Sequence, residues 1–457
     1  MTEELVLRET SSVCPTCMRE LPARVVEDGG KVYIRKACPE HGPSECLLSE
    51  HAWYYRALDN YFFSVMPPQV KQRDYLIRMT EKCNLQCPIC LASADGDASA
   101  PPPTPDLKLQ QLIEFMDTHP KGSLKIDLIS SEPTLCPDLP DFLRAIRARG
   151  HISSLHTNGI KLRDIEYLRS LKEAGLDEVF LQMDGFDDDA YMRIRGAKLT
   201  DLKIEVLENL RQVGVATSLV MVIMPKVNEH EVGKVLEYAR KHTFIREVMF
   251  LGTRALGYFR DSDALLMPDQ VIDIVNRETG LCPREEVFCF QKMYFALLSL
   301  LGVRKCLYVQ HNLLIRDGEQ YRAISDFVNW KRVEPVLDQL PHVGFGKWAR
   351  LRWLLRLGIS LISPRAFRLL PDFFSLFLRL KFGWRLKKLP FRPLLIGYIT
   401  ACDPLNVDRQ VGNYCGKGEL ANDIGRNESG SVANIERERY WYDLRQHQAG
   451  PKRRGEN

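Results

Sequence analysis

MTEKCNLQCPICLAS, residues 79–93, is the stretch whose reading decides the fold. It places Cys83, Cys87 and Cys90 in a CxxxCxxC array directly after an apolar run, YLIRMT (75–80). Three thiolates on one short loop can hold a metal centre. Because they are three rather than four, one metal position stays open to a substrate or cofactor, whereas a structural site takes a full ligand set. On spacing alone the alternative is three cysteines of a zinc knuckle.

Working outward toward the C-terminus, short β-branched runs alternate with amphipathic segments. The runs are YLIRMT, LKIDLIS (124–130), SSLHTNG (153–159), EVFLQMDG (178–185), SLVMVIMP (218–225) and EVMFLG (247–252). Between them lie DLKLQQLIEFMDTH, DLPDFLRAIRARG, DIEYLRSLKEAGL, LKIEVLENLRQVGV and EHEVGKVLEYARKHT, with apolar residues at i, i+3, i+4 spacing and several endings on Gly. Six β-then-α units predict parallel strands joined by right-handed crossovers, and six are too few to close an eight-stranded barrel. The expected fold class is therefore α/β, a partial (β/α)6 barrel. Chemistry in such barrels sits on the loops after the strand C-termini, which is where the CxxxCxxC loop falls. Later strand ends carry polar groups: Ser130-Ser131-Glu132-Pro133-Thr134, Thr157-Asn158-Gly159, Gln182-Met183-Asp184-Gly185, and Pro225 with Asn228. Each alone reads as a turn or a helix cap; together they mark a site. Arg193 and Arg195, in YMRIRG, either fix a carboxylate or phosphate or are solvated helix charges.

Toward the N-terminus, Cys14 and Cys17 form a CxxC knuckle, and Cys38 with His41 a CxxH knuckle. Two strand-like runs around the turn Glu27-Asp28-Gly29-Gly30 separate them. Two knuckles across a hairpin converge soft ligands on one tetrahedral point, a zinc-ribbon or rubredoxin-like arrangement holding iron or zinc. Cys46 competes with His41 for the fourth place.

The totals agree with this reading. At 457 residues and 45% hydrophobic content the chain can bury a real core, and its 13 cysteines cluster at metal-ligand spacing, which favours a reducing compartment over a disulfide scaffold. MTEELVLRET has no apolar signal region, and no uncharged run reaches membrane-span length, so a cytoplasmic protein is expected. The net charge of +4 implies no nucleic-acid partner. Its distribution is uneven. Residues 345–393 hold twelve Lys and Arg against one Asp, with Leu and aromatic residues at helical spacing. This reads as basic amphipathic helices contacting the inner membrane face, or as ordinary helices packed on the barrel.

CNLQCPIC followed by SEPTL and the polar strand ends resembles the radical S-adenosylmethionine (SAM) superfamily over roughly residues 72–252. The resemblance implies a [4Fe–4S] cluster on Cys83, Cys87 and Cys90. SAM would then be bound through Ser130, Ser131, Glu132, Asn158, Gln182 and Asp184, with Ile89 against the adenine. It also implies reductive cleavage of SAM to a 5′-deoxyadenosyl radical that removes a substrate hydrogen atom, with the electron from a flavodoxin or ferredoxin. Two departures stand out: serines replace the two glycines before Glu132, placing side chains where backbone approaches the ligand, and Ile89 is aliphatic where many members are aromatic.

The knuckles, CNLQCPIC, SEPTL and residues 390–415 together resemble a narrower group, the multi-cluster proteins that include archaeal tetraether-lipid synthases and pterin-methylating relatives. That implies rubredoxin-like iron at the first site and a lipid chain as substrate, with Phe373 to Phe382 lining an acyl tunnel. The alternatives are methylation of a small heterocycle, peptide maturation, or a non-catalytic metal-binding interaction protein. An auxiliary [4Fe–4S] cluster is expected from Cys282, Cys289 and Cys306, with Cys415 a further candidate; the contrary reading is buried free thiols. The expected organisation is a metal knuckle and linker (1–66), the radical SAM core (67–260), an auxiliary cluster region (261–344), basic amphipathic helices (345–397), and a C-terminal segment with a disordered tail (398–457).

Overall fold

The computed structural model describes residues 4–66, 72–90, 106–129, 131–257, 259, 264–318, 320–343, 346–365, 371, 374, 393–422, 425–427 and 429–448. All six strand-like runs are strands of one sheet: β5 (Asp74–Arg78), β6 (Lys125–Ile129), β7 (Ile152–Thr157), β8 (Glu178–Gln182), β9 (Ala216–Ile223) and β10 (Ile245–Gly252). They pair in parallel in sequence order. The crossovers carry α2 (Leu109–Asp117), α3 (Leu139–Ala148), α4 (Ile165–Ala174), α5 (Asp188–Arg195), α6 (Thr200–Val213) and α7 (Val232–Lys241). Local chemistry sets their ends. The Asp164 carboxylate accepts from the Glu166 and Tyr167 amides at 3.0 and 3.2 Å to start α4, and Asp187 caps α5 in the same way.

The chain before this core is a four-stranded antiparallel meander: β1 (Leu5–Val13), β2 (Glu20–Asp28), β3 (Lys31–Cys38) and β4 (Gly42–Ser49). The two runs read from sequence are thus the middle of a larger sheet. Helix α1 (Ala52–Val65) leads from it to the barrel.

The region after the core is largely helical, with α8 (Pro268–Thr279), α9 (Arg284–Leu301), α10 (Trp330–Leu337), α11 (Lys347–Leu361) and a C-terminal helix, Gly430–Gln448. It also adds strands to the main sheet. β13 (Leu394–Ile399) pairs parallel to β10, and antiparallel β11 (Val309–Asp317) and β12 (Gln320–Ala323) follow outside it. At the opposite edge β14 (Gly418–Ala421) pairs parallel to β5, with β15 (Gly425–Asn427) beyond it. The parallel run is thus eight strands long, and the sheet ends on β12 and β15 without pairing them among the described residues.

Helix α11 has two apolar faces. Trp353 and Leu357 are buried, with the Trp353 indole donating to Val336 O at 2.7 Å. Trp348, Leu351, Leu355 and Ile359 form a second stripe that is exposed, Trp348 at 78%, beside exposed Arg352 and Arg356. Of the expected acyl-tunnel segment Phe373 to Phe382, only Phe374 falls within the described residues, and it is exposed. No helix among the described residues is long and apolar enough to cross a membrane.

Candidate functional site

The loops following β5 to β10 surround one cavity of about 290 Å³, at the small end of the ~300–1,000 Å³ usual for ligand sites. Cys83, Cys87, Ile89 and Cys90 from the first loop line it, with Ser131, Glu132, Asn158 and Gln182 from the next three strand ends. Backbone bonds stitch the first loop to the second: Met79 N to Ile129 O at 3.1 Å, Ser131 N to Thr80 O at 3.3 Å and Glu132 N to Lys82 O at 3.0 Å. Helix α5 closes on it from the side. It ends on Gly196 at φ +74°, where a Cβ would lie 3.2 Å from Gln86 O, so only glycine lets the helix end approach this closely.

The three cysteines are not drawn onto one point. Among the described residues, the groups of Cys, His and carboxylates with all ligand atoms within 4.8 Å of one another are Cys14, Cys17, Cys38 and His41 in the ribbon, and half-buried Asp187, exposed His230 and buried Glu231. Wider spacing of three thiols around a cavity wall suits a polynuclear cluster better than a single ion. Burial pushes the Cys83 thiol up to about 12, so its thiolate needs the positive charge of bound iron. Burial also raises Cys87, opposed by the neighbouring Arg195 guanidinium.

Glu132 is fully buried and ties three strand ends together. Its Oε1 accepts from Thr134 N (3.1 Å), Thr134 Oγ1 (2.5 Å) and Thr157 Oγ1 (2.6 Å), and its Oε2 from Asn158 N (2.8 Å). Oε2 keeps one lone pair for a bound ammonium. The Asn158 amide donates to Asn84 Oδ1 at 2.7 Å, locking the third strand end to the cysteine loop.

Asp184 lies behind the cavity wall. Its carboxylate accepts from Arg195 Nε (2.6 Å) and Nη2 (3.1 Å), from Val222 N (2.9 Å) and from the Gln182 amide. Asp184 therefore meets the cavity through Arg195. Arg193 is exposed, which separates two arginines that sequence alone left equivalent. Asn228 holds the same corner, donating to Asp184 O at 3.0 Å and Val222 O at 2.9 Å. Ser130 falls outside the described residues.

Several residues here were not singled out from sequence. Lys203 of α6 is fully buried and donates to Asn158 O (2.5 Å), Gln182 O (2.7 Å) and Gln182 Oε1 (2.7 Å); burial lowers it to about 7. A lysine on the apolar stripe with Val206 and Leu210 is the signal that marks it. His156 and Phe180 form the cavity floor, stacked at 4.4 Å with rings parallel to 1°, and Lys125 sits 4.9 Å from the Phe180 centroid. His156 Nε2 is buried and has no hydrogen-bond partner among the described residues, and burial lowers the ring to about 4. Below the floor is a buried charged layer, where Asp127 pairs with Lys125 (3.5 Å) and Lys417. Arg254, after β10, lines the opposite wall.

In the ribbon, His41 Nδ1 lies 3.4 Å from Cys38 Sγ and 3.7 Å from Cys14 Sγ, and Cys17 Sγ lies 3.9 Å from Cys38 Sγ. The His41 contact lowers the Cys38 thiol to about 6. His41, not Cys46, completes the set. Cys46 faces away on β4, 3.8 Å from Arg254 Nη2.

The expected auxiliary set, Cys282, Cys289 and Cys306, is not drawn together. Cys282 is buried against Tyr398, Asn312 and Glu286, and Cys289 neighbours Lys292 and Glu334. Twelve residues of helix follow Cys289 in α9, ending on Leu301, roughly 18 Å at 1.5 Å per residue, and Cys306 comes after that. Cys306 instead has Cys402 and Cys415 as its neighbouring thiols. The bond from Thr400 N to Tyr308 O at 3.1 Å brings the first two loops together, and Gly416 packs on Arg304 and Lys305. The start of the C-terminal helix lies beside both, Gly430 near Cys415 Sγ and Ser431 near the Cys402 thiol.

Residues 77–239 match the family described as the radical SAM superfamily, and residues 6–50 match the HMPTM N-terminal zinc ribbon domain. The 7,8-dihydro-6-hydroxymethylpterin dimethyltransferase of Methanocaldococcus jannaschii is 34% identical over 257 residues, covering 51% of this chain and 51% of that protein. The chain therefore spans about half the length of that relative. The GTP 3′,8-cyclase of Helicobacter pylori strain 26695 is 28% identical over 292 residues, covering 57% of this chain and 87% of that one. Among solved structures, SuiB of Streptococcus suis bound to its precursor peptide SuiA shares 13% identity at a TM-score of 0.38, covering 50% of this chain and 48% of that chain.

Proposed function

We propose that this chain, which carries a radical SAM domain behind an N-terminal zinc ribbon, activates a C–H bond of a small polar heterocycle of the pterin type for one-carbon transfer. The observation that carries this reading is one cavity shared by the cysteine loop and the Glu132 and Arg195 corner on one side and Arg254 on the other, over a floor of His156 and Phe180. Cys83, Cys87 and Cys90 would hold a [4Fe–4S] cluster, which with SAM bound supplies the electron for reductive cleavage to a carbon-centred radical. The chain's own residues do the rest. Glu132 Oε2 takes an ammonium, and the Arg195 guanidinium, oriented by Asp184, faces a carboxylate. Ile89 and Phe259, packed with Ile194 and Ala264, form the apolar flank that excludes water.

Ser131, Asn158, Gln182 and Arg254 line the cavity, which suits a ring with hydrogen-bonding edges better than a hydrocarbon chain, whose burial there would leave polar groups without partners. The similarity to the pterin dimethyltransferase supports the same substrate class. Zinc suits the Cys₃His ribbon, and a second cluster would take Cys306, Cys402 and Cys415 as its ligands.

The test is anaerobic reconstitution with iron, sulfide, SAM, a reductant and 7,8-dihydro-6-hydroxymethylpterin. Formation of 5′-deoxyadenosine that rises with the pterin and vanishes in Cys83→Ala supports the reading; identical behaviour of the two proteins sinks it.

A second reading, a lipid chain as substrate at the inner membrane face, is favoured by the exposed Trp348, Leu355 and Ile359 stripe beside Arg352 and Arg356. Flotation with anionic vesicles, abolished in Trp348→Glu/Leu355→Glu, supports it. No flotation of the unaltered protein removes it.

A further inference from the structure

A short strap, residues 401–408 (ACDPLNVD), runs between the ribbon and the cavity wall. From the ribbon side, Lys36 of β3, two residues before the metal-set Cys38, is buried and donates to Pro404 O (2.7 Å), Leu405 O (2.9 Å) and Ser12 Oγ (2.8 Å). Ser12, two residues before Cys14, donates to Val407 O at 2.6 Å, and Thr10 donates to Asp408 Oδ1 at 2.7 Å. Both cysteine knuckles are thus wired to the strap within two residues of a ligand.

From the cavity side, Asp403 is fully buried. Its Oδ1 accepts from Leu405 N (2.8 Å) and Asn406 N (2.9 Å), and its Oδ2 from Arg254 Nε (2.8 Å) and Ala255 N (2.9 Å). These bonds saturate the carboxylate and fix the plane of the guanidinium. Arg254 is 1% exposed yet lines the cavity. Its Nη2 also pairs with Asp403 Oδ2 at 2.8 Å and lies 3.8 Å from Cys46 Sγ, while Nη1 meets only the weak acceptor Met267 Sδ at 3.5 Å, which leaves one Nη1 N–H for a bound molecule.

We propose that the ribbon is the clamp that sets the substrate end of the cavity. Lys36 and Ser12 hold the strap, Asp403 in the strap orients Arg254, and Arg254 donates to a carbonyl or ring-nitrogen acceptor on the substrate. Lys36 and Asp403 are positioning residues; Arg254 is the contact. Only this last step rests on the heterocycle reading above.

The experiment uses the full, reconstituted chain under anaerobic conditions, comparing the unaltered protein, Lys36→Met and protein with its ribbon metal removed by Cys14→Ser. Amide hydrogen exchange is followed at Leu405, Asn406 and Ala255, with Asn158 as an internal reference. Lys36→Met keeps all four ribbon ligands, and its metal content guards against simple unfolding. The clamp predicts roughly tenfold faster exchange at the three amides in Lys36→Met, with the metal retained and Asn158 unchanged. Unchanged exchange at those amides in both variants overturns it.

A kinetic cycle then tests the endpoint. Lys36→Met raises KM for the dihydropterin in the unaltered background and leaves it unmoved in Arg254→Met, because the two act in series. Independent, multiplying effects overturn the role of Arg254. Absence of pterin turnover by the unaltered protein defeats the substrate reading instead, and the exchange result still decides the clamp.

Discussion

Replacing Glu132 with Gln tests how the cofactor end of the cavity is assembled. Oε1 takes three donors, so the amide oxygen of a Gln will settle there and keep the Thr134 and Thr157 bonds. The amide NH₂ must then face Asn158 N, now 2.8 Å from Oε2. One charge-assisted bond is lost and a donor is left against a donor, in a place where Glu132 has no exposure to water. Loss of a bond to a charged group costs about 1.5–3 kcal/mol, so local opening of residues 157–159 becomes easier by about 2–3 kcal/mol, or roughly 30- to 150-fold. Amide exchange at Asn158 and Gly159 in the iron-free protein measures this directly, without any cofactor. With the cluster loaded, SAM affinity falls as well, since the NH₂ replaces the lone pair that would accept an ammonium. Exchange at Asn158 indistinguishable from the unaltered protein would refute the claim that this carboxylate locks the third strand end.

Gly159→Ala forces a Cβ to 2.7 Å from Leu181 Cδ1 at φ +83°, and the left-handed backbone and the overlap together cost about 2–4 kcal/mol, read as a lower urea midpoint. His156 titrates near 4 when folded, against about 6.5 unfolded. Because its folded value is depressed, its contribution is complete above pH 6.5, declines as pH falls from 6.5 to 4, and is gone below that, about 3 kcal/mol in all. Urea midpoints at pH 7.5 and 4.5 will therefore differ less in His156→Phe than in the unaltered protein, and an equal pH difference in both would sink the assignment. Arg195→Lys keeps a charge beside Cys87 but loses the planar fork on Asp184. Calorimetry of the cluster-loaded protein is expected to show SAM affinity falling roughly tenfold, with iron content unchanged.

What the sequence reveals and what it hides divide along sequence separation. The six core strands are visible because each run satisfies its own β propensity, and their order follows from the right-handed crossover. The strand-end residues are visible because the barrel rule says where to look, and Arg254 obeys that rule too, standing just after EVMFLG. Lys203 had a local signal in its helix. Asp403 had none: its partner Arg254 is 149 residues away, and nothing in CDPLN marks an acid that must be buried. The cysteine pairing fails for the same reason. Spacing groups Cys282, Cys289 and Cys306, but α9 carries them apart, and the return of the chain through β13 and β14 on opposite edges of the sheet brings Cys402 and Cys415 to Cys306. That return also lays the 401–408 strap between the ribbon and the barrel mouth. The C-terminal segment, least informative when read alone, is therefore where the ribbon, the second cysteine group and the cavity wall meet. On the clamp proposed above, a change in the ribbon reaches the cavity wall through Asp403.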